Sequence, residues 1–168
     1  MISYSITGTA WCYGDNINTD LIYPGKYLIT TTPNEMAKYA LAGLDPKFSS
    51  KAKSGDVIIA GSNFGSGSSR EQAAISLKYT GISAVIAVSF ARIFYRNAIN
   101  QGIPVLLSSD AISIVNSGDK IELKLVNGEL NNLTNGKTCK FEPLPAFILK
   151  IIEAGGIIPH LRKKLNIK

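Results

Sequence analysis

The sequence predicts an α/β fold in which a parallel strand–helix core carries an antiparallel β portion. Two observations predict it. Three short apolar runs, Val57-Ile-Ile-Ala60, Ala84-Val-Ile-Ala-Val88 and Ile103-Pro-Val-Leu-Leu107, alternate with two helical segments, the pattern of parallel strands buried between helices. Further on, Lys120-Ile-Glu-Leu-Lys-Leu-Val126 alternates apolar and polar residues, and Asn127-Gly128 supplies a hairpin turn. A chain of 168 residues, 45% hydrophobic and 18% charged, reads as one globular domain over 1–168 with a substantial core.

The elements follow in order. Residues 2–13 alternate loosely and read as a strand, followed by a polar turn, Gly14-Asp-Asn-Ile-Asn-Thr-Asp20, dense in Asx and Gly chemistry. Leu21-Ile-Tyr23 reads as a short strand stopped by Pro24-Gly25, and Lys26-Tyr-Leu-Ile-Thr30 leads into a loop. A ragged apolar stripe predicts a helix over Asn34–Leu44, and the Pro-, Ser- and Lys-rich stretch Asp45–Gly55 reads as a mobile loop. Small residues Ala73 and Ala74 with Leu77 predict a closely packed helix over Arg70–Tyr79. Phe90–Gln101 is the clearest helix: Ala91, Phe94, Tyr95, Ala98 and Ile99 keep a 3.6-residue period, with Ser89 as the expected N-cap. A brief helix over Ser109–Val115 precedes the hairpin, whose second arm lies within Leu130–Phe141 around the turn Asn135-Gly136. Pro145 opens a last helix, which Gly155-Gly156 ends.

Chemistry concentrates in Gly61-Ser-Asn-Phe-Gly-Ser-Gly-Ser-Ser-Arg70-Glu-Gln-Ala-Ala74, between the first apolar strand and its helix. Gly65 and Gly67 let a ligand approach the backbone, and a helix starting near Ser69 would offer free N–H groups and a positive dipole end. That combination is an anion site, to which Ser68 and Ser69 add hydroxyls and Arg70 a two-pronged guanidinium. Three better-known loops fail on spacing. A Walker A loop needs Lys-Ser/Thr after its last glycine, a dinucleotide loop needs G-x-G-x-x-G, and a nucleophile elbow needs G-x-S-x-G. A tight connection with no ligand remains compatible with the residues alone.

The net charge of +6 does not mark a nucleic-acid binder, because its dense cluster, Arg162-Lys-Lys164 with Lys168, lies at the terminus without interleaved aromatics. Between Gly61 and Leu107, Glu71 is the sole acid against Arg70, Lys78, Arg92 and Arg96, a local positive field suited to a small polyanion. No apolar run approaches the ~20 residues that cross a bilayer. The N-terminus lacks an export pattern and Cys12 and Cys139 lack paired spacing, so a cytoplasmic protein with no metal bound by this chain is expected. The lone His160, in a Pro-His-Leu-Arg tail, has nothing to place it near Ser68.

Gly14–Asp20, the Gly61–Ala74 loop, and Ser89-Phe-Ala-Arg-Ile-Phe-Tyr-Arg-Asn-Ala98 with Gly102-Ile-Pro104 together resemble the swivelling domain of the aconitase superfamily, from about Ala10 onward. The short free-standing form of that domain is the small subunit of 3-isopropylmalate dehydratases and their homoaconitase-like relatives. The resemblance implies a swivelling β/β/α fold and dehydration–rehydration of a di- or tricarboxylic acid. It also implies a [4Fe–4S] cluster carried by a large-subunit partner. By the same resemblance Ser68 is the base, Ser69 a substrate hydrogen-bonder and Arg70 the substrate clamp, while Thr19 and Asp20 match a Thr-Asp motif expected to orient Arg70 or polarise Ser68.

Within the family, relatives acting on a third carboxylate tend to carry Arg after Tyr-Leu; here Tyr27-Leu28 is followed by Ile29 and Thr30. An isoleucine would leave an extra carboxylate unpaired but packs against an isopropyl group, so 3-isopropylmalate is expected over homoaconitate, with 2-methylmalate also able to fit. Ile29 as an ordinary core strand residue is the competing reading. A non-catalytic anion-binding module, a weak nucleic-acid contact at the basic terminus and self-association of the isolated chain are the other possibilities the residues leave open.

Overall fold

The computed structural model describes residues 4–167. Its strands are β1 (Ser5–Cys12), β2 (Val57–Ala60), β3 (Ala84–Ala87), β4 (Val105–Leu107), β5 (Lys120–Lys124), β6 (Glu129–Asn132) and β7 (Thr138–Lys140). They form one seven-stranded sheet in the order β4-β3-β2-β1-β5-β6-β7. The first four are mutually parallel, and β1 turns its other edge to β5 in antiparallel register, Ser5 opposite Lys124. The expected combination of a parallel core and an antiparallel portion is therefore present. Every residue of β2 and β3 is buried, which explains their unbroken apolar sequence. The expected start of the first strand at Ile2 lies outside the described residues.

The helices are α1 (Thr19–Ile22), α2 (Pro33–Ala37), α3 (Phe48–Lys51), α4 (Glu71–Thr80), α5 (Arg92–Asn100), α6 (Ala111–Ile114), α7 (Ala146–Glu153) and α8 (Ile157–Leu165). Several depart from the sequence reading. Leu21 and Ile22 are helical, not strand, because the Asn18 side chain accepts a hydrogen bond from the Leu21 N–H and caps a short turn. The helix expected to reach Leu44 stops at Ala37. The chain then doubles back so that the N–H groups of Leu41 and Gly43 donate to the carbonyls of Ile22 and Leu21. The stretch Asp45–Gly55, read as mobile, is anchored by α3, whose Phe48 is fully buried edge-on to Trp11.

Helix α5 begins after Ala91 rather than Ser89, whose hydroxyl instead accepts from the Asn63 N–H at 2.8 Å. The stretch read as a tail is helical: beyond Gly155-Gly156 lies α8, which contains His160. Pro159 is tolerated there because a first-turn residue needs no N–H donor. Lys78 does not face the glycine loop. Its ammonium donates to the Gly155 carbonyl at 2.7 Å, and burial lowers its pKa.

Candidate active site

Three loops gather where β1, β2 and β3 end. The Gly14–Asn18 loop and the glycine loop are zipped together: the Gly61 N–H donates to Gly14, Asn16 to Ser62, Gly65 to Ile17 and Thr19 to Ser66. The Asp15 carboxylate accepts from the Ser62 N–H at 2.6 Å, and Asn63 donates from its side chain to Asn16 at 3.0 Å. On the other side Phe64 exchanges backbone hydrogen bonds with the third loop, donating to Ser89 and accepting from Ala91. Beneath lie the rings of Phe64, Phe90 and Phe94. Gly65 has φ +79°, and a Cβ there would run into the Phe94 ring, so the loop can rest on this aromatic floor only with glycine.

The serines follow from this arrangement. Helix α4 starts at Glu71 with Arg70 as N-cap, one residue later than the expected Arg70–Tyr79, so Ser68 and Ser69 stand in the loop and are exposed. The Ser68 hydroxyl lies 3.2 Å from that of Thr19, a buried residue at the start of α1. Gly67 lets them meet: its φ is +104°, and a Cβ would stand only 3.1 Å from the Thr19 hydroxyl. Ser69 makes no hydrogen bond among the described residues.

Arg70 is held along one edge. Its Nη1 donates to the Asp20 carboxylate at 2.6 Å and to the buried Tyr23 carbonyl at 3.1 Å, while Nη2 and Nε have no partner among the described residues. The same Asp20 oxygen accepts from the Gly25 N–H at 3.0 Å. The Arg70 bond and the Gly25 amide together hold the Asp20 carboxyl below its ordinary range. Asp20 thus bonds to Arg70, and the neighbour of Ser68 is Thr19. A side chain packed over Gly25 would crowd Arg70 Nη2, with a Cβ at 3.2 Å.

From Gly25 the chain makes a 3-10 turn, Gly25–Tyr27, and then exposes Leu28 and Ile29. Ile29 is 88% exposed, so it is not a core strand residue. Sequence reasoning missed Tyr23 and Gly25 as site residues. Both act through backbone atoms that carry no side-chain signature, although Pro24-Gly25 marked the turn. It also missed Asp15 and Asn18, which the Asx density of the loop could have identified as caps.

Among the described residues no group of three His, Cys, Asp or Glu side chains is placed to hold a metal ion. Cys12 meets the Val115 carbonyl and Cys139 meets Ser108, in separate places, and both thiols are free. No helix of the described residues is long and apolar enough to cross a membrane.

Residues 12–110 match the family model of the aconitase C-terminal domain, a span that contains every site residue above. The chain is 51% identical to the isopropylmalate/citramalate isomerase small subunit of Methanocaldococcus jannaschii over 160 residues, covering 95% of each. It is 53% identical to the 3-isopropylmalate dehydratase small subunit of Nautilia profundicola over 163 residues, covering 96% of each. The crystal structure of a 3-isopropylmalate dehydratase from Methanocaldococcus jannaschii superimposes with a TM-score of 0.91 at 47% identity, covering 97% of this chain and 96% of that one. The swivelling-domain resemblance thus holds over nearly the full length, and the chain belongs to the aconitase C-terminal domain family, among the small subunits of 3-isopropylmalate dehydratases.

Proposed function

We propose that this chain is the small subunit of a two-subunit hydro-lyase that interconverts 2- and 3-isopropylmalate by dehydration and rehydration, a step of leucine biosynthesis. The observation that carries the reading is a guanidinium fixed on one edge and unpaired on the other, beside two exposed serines. The free edge of Arg70 takes a substrate carboxylate in a two-pronged grip, and Ser69 adds a hydrogen bond. Ser68 takes the proton from the carbon next to the hydroxyl-bearing one and returns it on rehydration. An alcohol is far too weak an acid to serve as base in water. Arg70, the loop N–H groups and the Thr19 hydroxyl stabilise its anion once the site is closed and dry.

The large subunit holds a [4Fe–4S] cluster, which when bound supplies Lewis-acid activation of the departing hydroxyl and a carboxylate. The small subunit alone carries residues but no turnover. Ile29 at the loop tip favours an apolar substituent over a third carboxylate, so isopropylmalate is preferred to homoaconitate. A second reading, with citramalate (2-methylmalate) as an additional substrate, is favoured by the isomerase name of the Methanocaldococcus relative. We place the protein in the cytoplasm, a reading supported by its two unpaired thiols.

The test is reconstitution with the large subunit and assay on isopropylmalate, citramalate and homoaconitate. Ser68→Ala should lower kcat by roughly 10²–10⁴-fold, the usual contribution of a positioned proton acceptor. Near-normal kcat in that variant would remove Ser68 as the base.

A further inference from the structure

The loop tip that bears Ile29 is exposed, yet its root is built on three tyrosine rings. Tyr27 stacks on Tyr39 with centroids 3.8 Å apart and planes 11° from parallel. Tyr23 meets Tyr27 edge-on at 6.4 Å, and the Lys26 ammonium lies 5.0 Å from the Tyr27 ring centre. The Tyr23 hydroxyl donates to the Tyr27 carbonyl at 2.9 Å; burial raises its pKa, so the donor proton stays in place. That carbonyl also accepts the Thr30 N–H at 3.0 Å, closing the turn around Leu28 and Ile29. Tyr23 further supplies the carbonyl that holds Arg70. Tyr39 follows α2, which packs on α4, the helix that Arg70 caps.

We propose that Tyr39 is a positioning residue for substrate choice: its ring, stacked on Tyr27, fixes the 27–30 tip at a set distance from Arg70. This rests on the dehydratase reading above, since it assigns a task to a loop of that same site. Arg70 grips the carboxylate end common to all the diacids, and the tip contacts the substituent that distinguishes them. A tip free to move still admits the substrate but cannot rank isopropyl over methyl. The Tyr39 hydroxyl makes no hydrogen bond among the described residues, so the stacked ring alone does the positioning.

The experiment compares Tyr39→Leu, which keeps apolar bulk without a stack, with Tyr39→Phe, which keeps the stack. In the reconstituted complex, Tyr39→Leu should raise KM for isopropylmalate about two- to tenfold, the worth of an aromatic pair, leave KM for citramalate nearly unchanged and spare kcat. Tyr39→Phe should behave as the parent. Hydrogen exchange on the full chain supplies a readout independent of turnover. The Leu28 and Thr30 amides, which donate to Gly25 and Tyr27, should exchange faster in Tyr39→Leu and not in Tyr39→Phe. Unchanged exchange in Tyr39→Leu overturns the anchoring. Faster exchange with an unaltered KM ratio, or Tyr39→Phe behaving like Tyr39→Leu, overturns the role in substrate choice. A parent complex inactive on every diacid overturns the dehydratase reading, while the exchange data still decide the anchoring.

Discussion

Replacing Gly67 by alanine probes the meeting of Ser68 and Thr19 without substituting either. Gly67 is exposed, so the methyl group disturbs no core packing. It has two effects. At φ +104° an L-residue is strained, costing roughly 1–3 kcal/mol, or roughly 2–12 °C of Tm for a chain of this size. The new Cβ also stands 3.1 Å from the Thr19 hydroxyl, which must retreat by a few tenths of an ångström from its place 3.2 Å from Ser68. Gly118 separates these terms. Its φ is +94°, and a Cβ there meets nothing within 4 Å, so Gly118→Ala reports backbone strain alone. Both variants should lose comparable stability in urea titrations of the full chain. Only Gly67→Ala should also lose kcat in the reconstituted enzyme, by roughly 10–100-fold, the scale set by sub-ångström misplacement of a reacting group. Equal kcat in the two variants would refute the claim that the Ser68–Thr19 contact positions the base.

Asp20→Asn keeps the shape of the Arg70 anchor but removes its charge, so kcat/KM should fall about tenfold, mainly through KM; a change confined to kcat would point to Ser68 instead. Because the Asp20 carboxyl titrates below its ordinary range, its pairing holds above pH 4 and is lost only as the pH falls through that lowered value, so activity profiles above pH 5 should carry no limb from Asp20. Ile29→Arg should shift kcat/KM away from isopropylmalate toward homoaconitate, and an unmoved ratio would show that the tip does not touch the substrate. The Cys12 thiol, raised by burial to about 11 from 9.0, stays protonated in the folded chain where the unfolded chain has already ionised. The unfolded state then binds fewer protons, so the stability that Cys12 contributes is present below pH 9.0 and lost as pH rises toward 11. Cys12→Ser should flatten that part of the urea-midpoint profile, and an equal slope in both proteins would refute the assignment.

The parallel core was legible because β2, β3 and β4 are short apolar runs and because α5 keeps its period. Phe94, Ala98 and Ile99, expected on one face, are its buried residues. Short elements were less so. Leu21-Ile-Tyr23 has strand-forming residues, but the Asn18 cap and the contacts to Leu41 and Gly43 outweigh that preference. Helix α8 escaped because Gly155-Gly156 ends α7, and Pro159 reads as a breaker unless one knows it lies in a first turn. In the site, Ser68, Ser69 and Arg70 stood out because two hydroxyls and a guanidinium directly follow the glycines of one loop. The Tyr23 carbonyl and Gly25 amide did not, since every residue has them and only the folded path brings them to Arg70 and Asp20.

The place of β1 in the sheet bears on how the chain is made. Of the seven strands β1 comes before the others along the sequence, and it is flanked on one side by residues from the fifties and on the other by residues from the hundred-and-twenties. During synthesis its second edge has no partner until Lys120–Lys124 has been made, and such late, long-range pairing is slow and vulnerable to pairing with other nascent chains. Truncation before Lys120 therefore leaves the β5-facing edge of β1 open to pairing with any extended segment that meets it.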